Sequence, residues 1–123
     1  MNAARSITRL KVLGAAAVVE LATGLALVLM PAVVSNLLLG ITGTEVTNAF
    51  ARFLGLALIA LGIACWPTPQ NMAALRSMQF YNAAVALYLA YMGVFVSSGL
   101  LLWPAVVFHA AMAALLLRRE RVF

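Results

Sequence analysis

Four polar side chains lie inside apolar stretches of this sequence and offer most of its chemistry. Glu20 lies within AAAVVELATGLAL, Arg52 within AFARFLGLAL, Asn82 within FYNAAVALYL and His109 within PAVVFHAAMAALL. A carboxyl and an imidazole at one depth can exchange a proton near neutral pH, and an amide can hydrogen-bond to either group. We therefore take these four residues as a candidate polar cluster.

The composition predicts that the elements positioning these residues are membrane-spanning helices. The chain has 123 residues, of which 66% are hydrophobic and 9% charged, and its mean hydropathy is +1.08. Ordinary soluble domains are about half apolar. A crossing needs ~20 apolar residues, so this length holds about four crossings with short connections. We expect the lipid bilayer to be the main environment of the chain.

The apolar runs and their interruptions predict an all-α fold: a single domain in which four transmembrane helices form a bundle. The spans are expected at about 12–30, 48–66, 74–96 and 100–117, because proline and glycine-rich segments interrupt the runs between them. The segment PAVVSNLLLG after the first span is too short to cross and predicts a short interfacial helix. The first run is interpreted as a mature helix, since it is longer than the apolar part of a signal peptide and carries Glu20.

The distribution of basic residues predicts the orientation of the spans. Seven of the eight fall on one predicted side, and only Arg52 does not. Cytoplasmic loops are enriched in Lys and Arg, so both termini are predicted to be cytoplasmic. The same placement at the ends of apolar runs, without a basic patch, argues against nucleic acid as a partner despite a net charge of +5.

Small residues at helical spacing accompany each candidate polar residue and predict faces that point into the bundle. Glu20 and His109 each lie nine residues from a cation at the predicted cytoplasmic boundary, which places both ~13 Å deep. Arg52 lies deeper in the second span, where its long side chain has two options: it bends inward to Glu20 or extends to the outer interface. The neighbours on these faces are Ala16, Ala17, Thr23 and Gly24 for Glu20; Gly55 and Gly62 for Arg52; Ala86, Ala90 and Gly93 for Gln79 and Asn82; and Ala105 and Ala113 for His109.

Three interpretations of the polar cluster remain open. The side chains hydrogen-bond to one another as structural glue, or they form a site for a ligand or proton, or Glu20 meets a partner helix. Candidate ligand-lining residues are Gln79, Tyr81 and Tyr88, although aromatic packing explains the tyrosines more simply. A single histidine and a single cysteine argue against a metal or haem site, and no catalytic motif is present.

Taken together, several segments resemble small four-helix bacterial membrane proteins and, more distantly, the DoxX-like group. They are ELATGLALVLMPAVVSNLLLG, ARFLGLALIALGIACWP, FYNAAVALYLAYMG and WPAVVFHAAMAALL. The resemblance implies a multi-pass protein of the bacterial inner membrane with a respiratory or redox partner, and it transfers no functional residues.

Two functions from different classes follow as hypotheses. The first is a non-catalytic accessory or scaffold subunit of a larger inner-membrane complex, partnered by other membrane subunits or by its own copies. The alternative is a binder or carrier of a small hydrophobic or protonatable ligand, such as a quinone, that uses the Glu, His and Asn cluster. No tightly bound cofactor is expected beyond such a lipid-soluble ligand.

Overall fold

The computed structural model describes residues 3–68 and 71–120, and within those ranges the chain is helical, with no strand. This agrees with the all-α prediction. Five helices follow one another: α1 (Ala3–Leu29), α2 (Pro31–Leu39), α3 (Glu45–Ala64), α4 (Met72–Phe95) and α5 (Leu102–Glu120). Of these, the segments Ile7–Leu29 and Glu45–Ala64 are long and apolar enough to cross a membrane, while the apolar segment of α5, Leu102–Arg118, is shorter.

Local sequence signals set the ends of the helices. Pro31 occupies the first turn of α2, where its missing N–H costs no helical hydrogen bond, and Gly40 ends α2 in the left-handed conformation at φ 68°. The side chain of Thr44 accepts a hydrogen bond from the backbone N–H of Thr47 at 3.2 Å, which caps α3. Asn71 caps α4 in the same way, accepting from the N–H of Ala74 at 3.0 Å.

Helices α1 and α3 pack closely because glycines face each other where they cross. A Cβ atom built on Gly55 would lie 2.6 Å from the carbonyl oxygen of Gly24, and one built on Gly24 would lie 2.6 Å from that of Gly55. At the other end of the pair, Gly62 packs against Ala17 and Leu21. Small residues let helix backbones approach in this way. The buried residues of α3 are Gly55, Leu58 and Gly62, so α3 lies at the periphery with most of its surface exposed.

Helices α4 and α5 form a second antiparallel pair, which meets the first mainly through α1. The core between the two pairs lies where α1 and α4 begin and α3 and α5 end, a region called here the termini end. Its members include Leu13 of α1, Leu75 and Met78 of α4, and Leu116 of α5, each at most 2% exposed. This core joins the two helix pairs and thereby fixes the relative positions of α1, α4 and α5, which carry Glu20, Asn82 and His109.

The opposite end, called here the α2 end, is joined by backbone contacts between α2 and the α4–α5 connection. The N–H groups of Gly99 and Leu101 donate to the carbonyls of Leu38 and Leu37, at 3.0 and 2.8 Å. The Ser97 hydroxyl donates to the carbonyl of Leu39 at 2.6 Å. Gly99 lies so close that an added Cβ would overlap the backbone of Leu37. These bonds satisfy carbonyls at the C-terminus of α2, which have no donor within their own helix.

Candidate functional site

Glu20 lies in the middle of α1 on the face that meets the other helices, and it is 1% exposed. The neighbours Ala16, Ala17 and Gly24 are buried on the same face, as their helical spacing predicts. The hydroxyl of Tyr81 on α4 donates a hydrogen bond to Glu20 Oε2 at 2.9 Å. The other carboxyl oxygen, Oε1, is buried and has no hydrogen-bond partner among the described residues. One half of the carboxyl is therefore satisfied and the other half is not.

Asn82 and His109 form a second hydrogen-bonded pair, between α4 and α5. Asn82 is fully buried, and its Nδ2 donates to the carbonyl of Met78 at 2.8 Å, which orients the amide. Its Oδ1 therefore faces His109 Nδ1, at 2.8 Å. An amide oxygen only accepts, so Nδ1 must carry the proton. In the neutral ring the proton on Nδ1 leaves Nε2 as an acceptor.

Tyr81, which is hydrogen-bonded to Glu20, also contacts His109 of the second hydrogen-bonded pair. Its ring meets the ring of His109 edge-on, with centroids 5.8 Å apart and an interplanar angle of 83°. On its other side, His109 meets Phe108 at 5.3 Å in a similar geometry. We call Glu20, Tyr81, Asn82 and His109 the Glu20 cluster. It spans α1, α4 and α5, at the boundary between the two helix pairs.

The hydrogen bond from Tyr81 determines where a proton on Glu20 would lie. An isolated charge in an apolar interior is costly, so the burial of Glu20 favours the neutral acid, and the Tyr81 hydroxyl can donate to Oε2 in that form as well. Because Oε2 accepts from Tyr81, the acid proton belongs on Oε1. The cluster then presents one unused donor, Oε1–H, and one unused acceptor, Nε2 of His109. A neutral molecule with a carbonyl or hydroxyl oxygen complements the donor.

Arg52 does not join the cluster. Its side chain is exposed on α3, and its Nε donates to the carbonyl of Val28 in the last turn of α1, at 3.3 Å. This bond is not the predicted inward contact with Glu20, and the alternative of extension to the outer interface stays a prediction. Gly55 and Gly62 are buried against α1, whereas Arg52 is exposed, so the inward face predicted for α3 holds for the two glycines and not for Arg52.

The three candidate lining residues differ in position. Tyr81 is part of the cluster and bonds directly to Glu20. Gln79 is buried one turn nearer the termini end than Asn82. Its Nε2 donates to the carbonyl of Leu116 at 3.2 Å. Tyr88 is 62% exposed and stacks on Tyr91 with ring centroids 6.3 Å apart, away from Glu20. Sequence reasoning missed Tyr81 as the partner of Glu20; its position next to Asn82 was the available signal.

In the described ranges, no group of three His, Cys, Asp or Glu side chains is close enough to hold a metal ion. Comparison with known proteins adds no assignment, since no family model, curated protein or solved structure matches this chain. The similarity to DoxX-like proteins thus stays a prediction from sequence.

Proposed function

We propose that this chain is a small multi-pass membrane protein that binds a lipid-soluble ligand at the Glu20 cluster. The observation that carries the proposal is Glu20 Oε1, a buried carboxyl oxygen without a hydrogen-bond partner in the part of the chain that the structure describes. In either protonation state this oxygen needs one: as an anion it lacks a donor, and as an acid it lacks an acceptor. Leaving such a group unpaired costs about 1–3 kcal/mol. A ligand oxygen at this position would recover that energy.

The proposal includes four crossings of the bacterial inner membrane with both termini in the cytoplasm. Helices α4 and α5 have 24 and 19 residues. At 1.5 Å per residue they are about 36 and 28 Å long, close to the ~30 Å hydrocarbon thickness. Helix α4 carries the polar residues Arg76, Gln79 and Asn82, but the latter two are buried within the protein. The distribution of basic residues supports the orientation.

The ligand chemistry follows from the unused groups of the cluster. The Oε1–H of neutral Glu20 suits a carbonyl or hydroxyl oxygen, and His109 Nε2 suits a hydroxyl or N–H donor. A lipid-soluble molecule such as a quinone carries oxygens of this kind on a flat ring. The half-buried rings of Tyr81 and Phe108 would pack against it.

The experiment replaces Glu20 with leucine, a side chain of similar size without polar atoms. We expect Glu20→Leu to fold, because removing an unsatisfied buried carboxyl leaves no orphaned group except the Tyr81 hydroxyl. The wild-type protein is purified in mild detergent, and its bound small molecules are extracted and identified by mass spectrometry. The leucine variant should retain at most about a tenth of the wild-type ligand, as expected from the loss of one buried hydrogen bond.

Glu45→Leu is the matched control, since Glu45 is exposed at the start of α3, outside the cluster. This variant should carry the wild-type amount of ligand. Glu20→Gln should retain part of it, because an amide N–H can replace the acid proton as a donor. Equal ligand in Glu20→Leu and wild type, or no specific ligand in either, would contradict the proposal.

The second candidate function, an accessory subunit of a larger inner-membrane complex, is favoured by the peripheral position of α3. Outside its contact with α1, this helix exposes apolar side chains that include Phe50, Phe53, Leu56 and Ile63. A partner helix would pack there. The test is affinity purification in mild detergent with quantitative mass spectrometry. A partner at a fixed stoichiometry, lost in a Phe53→Ala variant, is the result that this function predicts, whereas free protein alone counts against it.

A further inference from the structure

Arg52 is an exposed cation within an apolar helix, and its side chain has a defined direction. Val28, whose carbonyl accepts from Arg52 Nε, is in the last turn of α1. Carbonyls in a last helical turn lack donors from their own helix, and a cation is favourable there because of the helix dipole. The guanidinium is therefore anchored beside the C-terminus of α1, at the α2 end.

Within the described ranges, one of the N–H groups of this guanidinium forms a hydrogen bond. A guanidinium has five donors in a planar arrangement. Among the described residues, the Nε group bonds to Val28, the two terminal NH₂ groups have no hydrogen-bond partner, and the side chain is exposed. These groups can form the paired hydrogen bonds with which arginine binds phosphate or carboxylate.

The surroundings of the guanidinium are polar on one side and apolar on the other. Asn48, one turn toward the α2 end, has a buried Oδ1 with no hydrogen-bond partner within residues 3–68 and 71–120. Phe53 and Leu56 are exposed on the same helix, in the direction of the termini end. Arg52 itself lies seven residues after the start of α3, ~10 Å along its axis. The guanidinium of Arg52 matches an anionic head, and the exposed Phe53 and Leu56 match an apolar tail, whereas the Oδ1 of Asn48 is an acceptor and offers an anion no contact.

We propose that the free edge of Arg52 binds the phosphodiester of an anionic phospholipid, whose acyl chains lie along Phe53 and Leu56. The site depends on α3 crossing the membrane, but it is separate from the Glu20 cluster and does not require a ligand there. Val28 holds the arginine in place, so little side-chain freedom is lost on binding. The anionic lipid is favoured over a zwitterionic one because its phosphate has no ammonium group of its own to pair with.

The test counts the lipids that stay bound. The full chain is reconstituted in vesicles of phosphatidylglycerol and phosphatidylcholine, extracted again in mild detergent and analysed by native mass spectrometry. Wild-type protein should retain a phosphatidylglycerol molecule in preference to phosphatidylcholine. Arg52→Gln should reduce that retention by about tenfold, the loss expected for one charge-assisted pair. Arg52→Lys should give an intermediate value, because it keeps the charge without the planar pair of donors.

Arg76→Gln is the control, since Arg76 is an exposed cation on α4 near the termini end. It should retain the wild-type amount. Equal losses in the Arg52 and Arg76 variants would overturn the proposal, because attraction to a basic protein would then explain the binding. Unchanged retention in Arg52→Gln would overturn it as well. Displacement of the lipid by excess inorganic phosphate would overturn its assignment to a phospholipid, since the acyl chains would then contribute nothing. The outcome leaves the ligand test at Glu20 unaffected.

Discussion

Replacing Gly55 with leucine is expected to lower the free energy of unfolding by about 3 kcal/mol, the upper part of the range for overpacked sites. The reason is the crossing of α1 and α3. A Cβ at position 55 would lie 2.6 Å from the Gly24 carbonyl oxygen and 3.0 Å from Leu27 Cβ. The Gly24 carbonyl oxygen belongs to the backbone and cannot rotate away as a side chain could. The two helices must therefore move apart. Unfolding by a denaturing detergent in mixed micelles, followed by circular dichroism, measures the change.

Ala57→Leu on the same helix is the matched control for this prediction. Ala57 is exposed, so the added side chain meets no helix of this chain. Its free energy of unfolding should change by less than about 0.5 kcal/mol, as is usual for surface substitutions. If Gly55→Leu were as stable as Ala57→Leu, the close approach of α1 and α3 would be wrong.

Replacing Asn82 with leucine is expected to destabilise the protein by about 2 kcal/mol, because the Nδ1–H of His109 then loses its acceptor within the protein. Asn82 is fully buried, and His109 lies 2.8 Å from its Oδ1. The same substitution should release the ring from its defined tautomer. Unfolding measurements give the energy, and the ¹⁵N chemical shifts of the imidazole report the position of its proton.

The double variant Asn82→Leu/His109→Leu separates hydrogen bonding from packing. Replacing both partners by apolar side chains leaves no orphaned donor, so much of the lost stability should return. A double variant as unstable as the sum of both single ones would show that the pair contributes through shape alone. A wild-type histidine with its proton on Nε2 would contradict the tautomer derived from the Asn82 amide.

The buried face of α1 illustrates what could be predicted without tertiary information. The spacing of Ala16, Ala17, Glu20 and Gly24 places them on one side of a helix, and the structure buries all four. The small residues of α4 and α5 near Asn82 and His109 led to the prediction that these side chains point inward. The Asn82–His109 pair agrees with it.

The position of Arg52 illustrates the opposite case. Its spacing from Gly55 and Gly62 suggested a common inward face, yet its side chain extends over the end of α1 to Val28. A long side chain reaches several ångströms in any direction, so its helical position does not determine its partner. The partner of Arg52 is determined by where α1 ends relative to α3, and this relative position depends on how the two helices pack. Tertiary structure also matters for the proposed function. Because Glu20 Oε1 has no partner among the described residues, we propose ligand binding ahead of a role as an accessory subunit.

The sequence by itself determined that the chain is helical, where most of the helices end, and which face of α1 carries Glu20. These properties are local: they follow from hydrophobic periodicity, from prolines and capping residues, and from the positions of small side chains. Only the tertiary structure decided that Tyr81 donates to Glu20, that Asn82 sets the tautomer of His109, and that Oε1 has no partner among the residues described. A hydrogen bond between helices depends on differences of about 1 Å in their relative positions, and no single helix encodes those.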